Sequence, residues 1–213
     1  MRSETVSAEL IPYASRTGTR RNLTALREAG WRLLVSAQGC LRSEGFPYAL
    51  DNGAWSAYTK GQPFDEKAFA RALRKMGAKA DWTVIPDIVA GGLASLEMSL
   101  RWMRIVLDEC PRALLAVQDG MVETDVAPFL GPRVGLFVGG STEWKCRTLA
   151  SWGHLGRAKR CWVHVGRVNS KKRISSCATA GATSFDGTSV TRFAISLPSL
   201  DEQVRQLTLG GLQ

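Results

Sequence analysis

CWVHVGRVNSKKRISSCATAGATSFD, residues 161–186, decides the fold. Two short apolar runs, CWVHV (161–165) and TSFD (183–186), flank a helical stretch at 170–180. Continuous apolarity, rather than alternation, marks strands buried on both faces. A strand–helix–strand order makes the two strands parallel, joined by a right-handed crossover. Each run closes on a residue that chemistry can use, His164 in the first and Asp186 in the second.

The same unit recurs toward the amino terminus. Further strands are predicted at 10–14 (LIPYA), 32–36 (RLLVS), 47–51 (PYALD), 82–87 (WTVIPD), 113–118 (ALLAVQ) and 134–139 (VGLFVG). Helical patterns are read at 19–29, 65–77, 93–109, 122–130, 142–157 and 199–209. The segment 37–46 is short, holds two glycines, and is left open between helix and loop. Eight alternating strands predict an α/β fold, a compact (β/α)8 TIM barrel forming one domain over 1–213. An open doubly wound sheet would place a glycine-rich phosphate turn after its first strand. The turn SRTGTRRN has one glycine and does not fit.

Barrel closure would gather the carboxyl ends of all strands on one face. Those ends carry Asp51, Asp87, Gln118, the pair Gly139 and Gly140, His164 and Asp186. Two carboxylates on a shared face suit work at a sugar: one attacks the anomeric carbon while the other handles protons. A lone Asp at a strand end is as often a cap for the next helix. The series weakens that alternative, because a single face would hold them all. His164, in an apolar strand, is more often a hydrogen-bonded core residue than a catalyst, and is read as pocket lining. Trp55 divides between a platform for a flat ring and plain core.

The chain has 213 residues, 45% of them hydrophobic, enough for one well-cored domain. Its net charge of +9 suits a polyanionic partner, with general solubility as the alternative. Placement favours the partner. Arg16, Arg20 and Arg21 follow the first strand, Arg167, Lys171, Lys172 and Arg173 follow the seventh, and Arg192 follows the eighth. All would share the face of the strand ends. Arg157, Lys159 and Arg160 precede a strand, so they belong to the opposite face and to solvation. No stretch reaches the roughly 18 apolar residues of a membrane span. The opening MRSETVSAEL has no apolar leader core, so a cytoplasmic protein is expected. Five widely spaced cysteines without a CxxC pattern argue against zinc and against a disulfide framework. They are read mostly as small buried hydrophobes, and no metal or other cofactor is expected.

From about 48 to 192 the chain resembles the tRNA-guanine transglycosylase superfamily. It looks most like the compact DNA-acting relatives, found in phages and bacterial islands, that place 7-deazaguanine bases into DNA. Six blocks carry the resemblance in family order: LDNGAW (50–55), VIPDIV (84–89), LAVQDG (115–120), GLFVGGS (135–141), VHVGR (163–167) and TSFDGTSVTR (183–192). The resemblance implies Asp186 as nucleophile on C1′ and Asp51 as general acid/base at N9. It implies Asp87 as reader of N1–H and the exocyclic amine, Gln118 with the backbone of Gly139 and Gly140 as readers of O6, and Trp55 as the stacking platform. A carboxylate beside an amide and a backbone N–H complements the donors and acceptor of a guanine edge. The partners implied are DNA, with its target nucleotide flipped out or single-stranded, and a free preQ0-like base. A partner protein or homo-oligomer is left open.

Departures accompany the resemblance. The tRNA enzymes carry a zinc subdomain after the nucleophile block, and the segment 187–213 holds no Cys and no His. That points to DNA rather than tRNA, with a tRNA-guanine transglycosylase kept as a further alternative. Asp119 stands where Gly is expected, Asn52 for Ser, Ala54 for Gly and Val190 for Pro. Ala54 is expected to narrow the pocket floor slightly. Two further readings stay beside base exchange: a non-catalytic nucleic-acid-binding paralogue or partner subunit, and a two-carboxylate glycosidase for small sugars. Hydrolysis of the base instead of its exchange uses the same covalent intermediate.

Overall fold

The structure is a computed structural model that describes residues 10–192 and 194–210. The segment 1–9, on which the missing leader was read, lies outside the described residues. Eight parallel strands close in sequence order into a barrel. They are β1 (Ile11–Ser15), β2 (Arg32–Ser36), β3 (Tyr48–Asp51), β4 (Thr83–Val84), β5 (Ala113–Val117), β6 (Val134–Val138), β7 (Val163–Val165) and β8 (Ser184–Gly187). β1 closes the ring, with Tyr13 opposite Arg32 of β2 on one side and Asp186 of β8 on the other. The chain is a (β/α)8 barrel.

The helices are α1 (Arg20–Glu28), α2 (Ala54–Thr59), α3 (Glu66–Met76), α4 (Gly92–Glu109), α5 (Glu123–Val126), α6 (Thr142–Lys159), α7 (Lys171–Ala180), α8 (Ser189–Arg192) and α9 (Leu197–Gly210). Because strand side chains alternate, each strand feeds two cores. Tyr13, Ala49, Trp82, Val84 and Leu114 fill the barrel interior, with Leu34, Phe137 and Trp162 packed against them. Leu33, Val35, Leu50, Leu115, Val117, Leu136, Val138 and Phe185 face outward onto helix residues such as Leu26, Phe69, Val106, Trp152 and Ile174. This double burial is why the strands read as continuous apolar runs.

The departures from expectation have local causes. β4 stops at Val84, and Pro86 just beyond has no N–H to continue a ladder. The helix expected at 122–130 breaks into α5 and a 3-10 turn, Ala127–Phe129, holding Pro128. The segment 37–46 is loop and turn, so β2 and β3 join without a helix. α2 was not foreseen. It starts because Gly53 adopts φ +85° and Asn52 Oδ1 accepts the Ala54 N–H at 2.8 Å. All five cysteines are free thiols, with Cys110 and Cys177 buried but Cys40 and Cys146 exposed, which corrects the reading of most as core. No described helix is long and apolar enough to cross a membrane.

Candidate active site

The carboxyl ends of the strands open on a cavity of about 920 Å³, the size of a small-molecule site. Asp51, Trp55, Asp87, Gln118, Gly139, Gly140 and Asp186 line it, and so do Arg16, Arg167 and Arg192. With Ser36 of β2 also in its wall, all eight strands or their following loops converge on one space, as closure of the barrel requires.

Asp51 ends β3, opposite Ser36 of β2. Its Oδ2 accepts the Gly53 N–H at 3.1 Å. Burial, and next the Asp186 charge, push its carboxyl up to about 7. A carboxyl near 7 can both give and take a proton at neutral pH. Asp87 follows Pro86. Burial pushes it up to about 6, against the pull of Asn52 Nδ2, which donates to Asp87 Oδ1 at 2.7 Å. Asn52 also donates to the Ile85 carbonyl at 2.8 Å, so one side chain ties β3 to the loop carrying Asp87. Gln118 Nε2 donates to the Ile88 carbonyl at 2.9 Å and keeps a second N–H to offer.

The glycine pair forms the turn from β6 to α6. Gly140 has φ +70°, and a Cβ there would come within 2.9 Å of the Trp144 ring, so no other residue fits. Asp119 grips the next residue: Ser141 N–H and Ser141 Oγ each donate to it at 2.6 Å. It holds the turn as well as lining the cavity, and these bonds lower its pKa against the cost of burial. Ala54 is buried in α2 and is not part of the cavity wall, which overturns the expected narrowing of the floor.

Trp55 is 45% exposed and stands at the cavity rim, so it is not core. The Arg167 guanidinium lies over its ring, 4.2 Å from the centroid, and also donates to the Gly140 carbonyl. Arg167 itself has φ +60°, uncommon for a residue with a side chain. That turn aims its backbone N–H at Asp186 Oδ2, 3.3 Å away.

His164 is the residue the structure moves. It is fully buried inside the barrel and is not part of the cavity wall. It touches Asp186 Oδ2 from below through Nε2, at 3.1 Å. The outward phase of β7 goes to Val163 and Val165, and His164 takes the inward one.

The basic residues divide. Arg16 lines the cavity but pairs with Glu44. Arg20 and Arg21 are exposed in the first turn of α1. Lys171 pairs with Glu202 at 2.7 Å. Lys172 and Arg173 line a second cavity, about 680 Å³ between α6 and α7, which Arg167 shares. Neither borders the cavity of the carboxylates.

Sequence reading missed Asn52, Lys145 and Ser184. Asn52 carried a signal, as a polar residue between two site residues. Lys145 carried none, since it sits in a helix like any surface lysine. It is 6% exposed and donates to the Gly166 carbonyl. Burial, with the Arg167 charge, lowers its pKa to about 8. Among the described residues no three His, Cys, Asp or Glu side chains gather as a metal site. No protein-family model matches the chain, and no curated protein matches it in sequence.

Proposed function

We propose that this chain is a pentosyltransferase that exchanges guanine in DNA for a preQ0-like 7-deazaguanine. In this reading Asp186 attacks C1′ of an extruded deoxyguanosine, and the C1′–N9 bond breaks as Asp51 gives its proton to N9. The 7-deazaguanine then enters, loses its N9 proton to Asp51, and attacks C1′, which frees Asp186. Asp87 accepts from N1–H and the exocyclic amine. The free N–H of Gln118 and the backbone at Gly139 and Gly140 meet O6. Trp55 stacks on the base once Arg167 is displaced.

The observation that carries the reading is the meeting of Asp51 and Asp186 on one cavity, with the charge of one raising the pKa of the other. A carboxyl held up near 7 beside a second carboxylate suits the division into acid and nucleophile. A second observation supports a polyanionic substrate. The first turn of α1 contains Arg20 and Arg21 and no acid. A helix dipole disfavours that arrangement unless an anion arrives. α6 follows the ordinary rule, with Glu143 in its first turn and Arg157 and Lys159 in its last.

The test is a nucleoside mass spectrum. The protein is expressed in cells that make 7-deazaguanine precursors, and their DNA is digested. A deazaguanosine mass that disappears with Asp186→Asn is expected. Normal nucleosides alone, from soluble protein and with free base supplied, would refute the exchange.

A further inference from the structure

Asp186 is held from below by a chain of hydrogen bonds whose direction can be assigned atom by atom. Trp162 Nε1 lies 2.7 Å from Ser184 Oγ. Ser184 Oγ lies 2.8 Å from His164 Nδ1. His164 Nε2 lies 3.1 Å from Asp186 Oδ2. An indole N–H can only donate. Ser184 Oγ therefore accepts from Trp162 and has its own hydrogen to place. Ser184 is fully buried, and among the described residues the one acceptor that meets it is Nδ1. An imidazole that accepts at Nδ1 is neutral and carries its hydrogen on Nε2. That hydrogen faces Asp186.

The surroundings fix this arrangement. His164 and Ser184 are register partners on β7 and β8, so the pair cannot slip. The imidazole is walled by Trp82 at 4.4 Å, Phe137 at 5.1 Å and Tyr13 at 5.7 Å between ring centroids. No space is left for the ring to turn over. Burial lowers the imidazole pKa and outweighs the pull of Asp186, while the Lys145 charge acts with burial. The ring is thus a neutral donor. As a base for Asp186 it would have no task, since a carboxylate nucleophile has no proton to lose.

We propose that Ser184 and His164 are a positioning pair that fixes Asp186 through Oδ2 and leaves Oδ1 as the oxygen that attacks the sugar. The proposal rests on the base-exchange reading. Oδ2 receives two donors, His164 Nε2–H and the Arg167 backbone N–H. Among the described residues no hydrogen bond ends on Oδ1, and Oδ1 is not among the buried atoms without a partner, so it opens on the cavity. When Oδ1 bonds to C1′, Oδ2 becomes the ester carbonyl and keeps both donors. The same donors receive the carboxylate when the second base displaces it. No proton passes through His164 at either step.

The chain has two histidines, and the other, His154, is exposed on α6. Labelling histidine alone with ¹⁵N therefore gives a spectrum of two rings, assigned by His154→Gln. His164 is expected as the neutral Nε2–H form from mildly acid to mildly alkaline pH. An Nδ1–H ring or an imidazolium would overturn the proposal, whatever the reaction. The kinetic arm compares His164→Phe, which keeps the ring volume, with His164→Gln, which keeps a neutral donor and an acceptor. For the Phe variant kcat is expected to fall about 10- to 100-fold with KM little changed, and Gln is expected to restore most of it. Ser184→Ala is expected to lower kcat less and to bring the Nδ1–H form into the spectrum. Unchanged kcat in a folded Phe variant, or no rescue by a folded Gln variant, would reduce His164 to packing. If wild type exchanges no base, the base-exchange reading fails, and with it the attack by Oδ1. The spectrum still decides whether the hydrogen-bond chain runs as drawn.

Discussion

Asp81 and Asp51 belong to the same closed barrel and lie at its opposite ends. Asp81 precedes β4 at the amino-terminal end. Arg32 Nη1 meets it at 3.0 Å, and the Tyr13 hydroxyl donates to it at 2.8 Å. Burial and the Asp81 charge in turn push the Tyr13 phenol far above its ordinary range. Among the described residues no ion pair ends on Asp51. Its hydrogen bond is from the Gly53 N–H, and the charges that act on it are those of Asp186 and Asp87. A partly buried carboxylate is tolerable when paired, and costly when its neighbours repel it. The amino-terminal end satisfies its charge and stabilises the barrel. The carboxyl-terminal end holds its carboxylates with neutral donors and sets like charges beside Asp51, as sites that hold reactive groups do.

The contrast can be broken by substitution. The largest effect is expected at Asp186. Asp186→Asn removes the nucleophile, and exchange should fall by about 10⁴-fold or more while DNA binding by gel shift persists. Lost binding in a folded variant would show that Asp186 holds the site together instead. Asp51→Asn should cost about 10²–10⁴-fold in kcat/KM.

The pH profile sharpens the same point. Formation of the glycosyl-enzyme needs Asp51 protonated, so the rate should fall as pH rises through about 7. Base reading needs Asp87 ionised, so the rate should fall as pH drops below about 6. The two limbs belong to a coupled set of groups. A flat profile across this range would remove Asp51 from the acid role. Stability should move too. In the unfolded chain Asp51 ionises near pH ~4, while in the folded chain it does so near 7. The folded form holds the extra proton between those values, so stability falls as pH rises through the window. Asp51→Asn should flatten that decline and raise the melting temperature at pH 8 relative to wild type, measured by thermal unfolding.

Trp55→Ala should weaken base capture about 5- to 100-fold, read in KM for the free base. The smallest effect on catalysis is expected at the far end. Asp81→Asn should leave kcat unchanged and cost about 1–3 kcal/mol in a denaturant titration. Loss of activity at unchanged stability would show that the two ends are coupled.

These tests bear on residues whose legibility in the sequence differed. The barrel was legible because parallel strands are buried on both faces and write continuous apolar runs, and because the polar residue after each run lands on a shared face. The positions of Asp51, Asp87, Gln118 and Asp186 on that face follow directly. His164 was read one layer too high. Whether a residue in a three-residue strand reaches the cavity or the interior depends on barrel stagger, which is not written in local pattern. Lys145 could not be read at all, since its burial comes from how α6 lies on α7. The helix α2 escaped because a glycine at positive φ and an Asn cap started it, not an apolar period.

Sequence alone determined the order of the eight strands and the chemistry delivered at each strand end, because both follow from nearest-neighbour rules along the chain. The tertiary structure decided which carboxylates are matched and which are left unpaired, and which nitrogen of His164 faces Asp186. Those depend on distances across the barrel, where residues far apart in the chain set one another's charge.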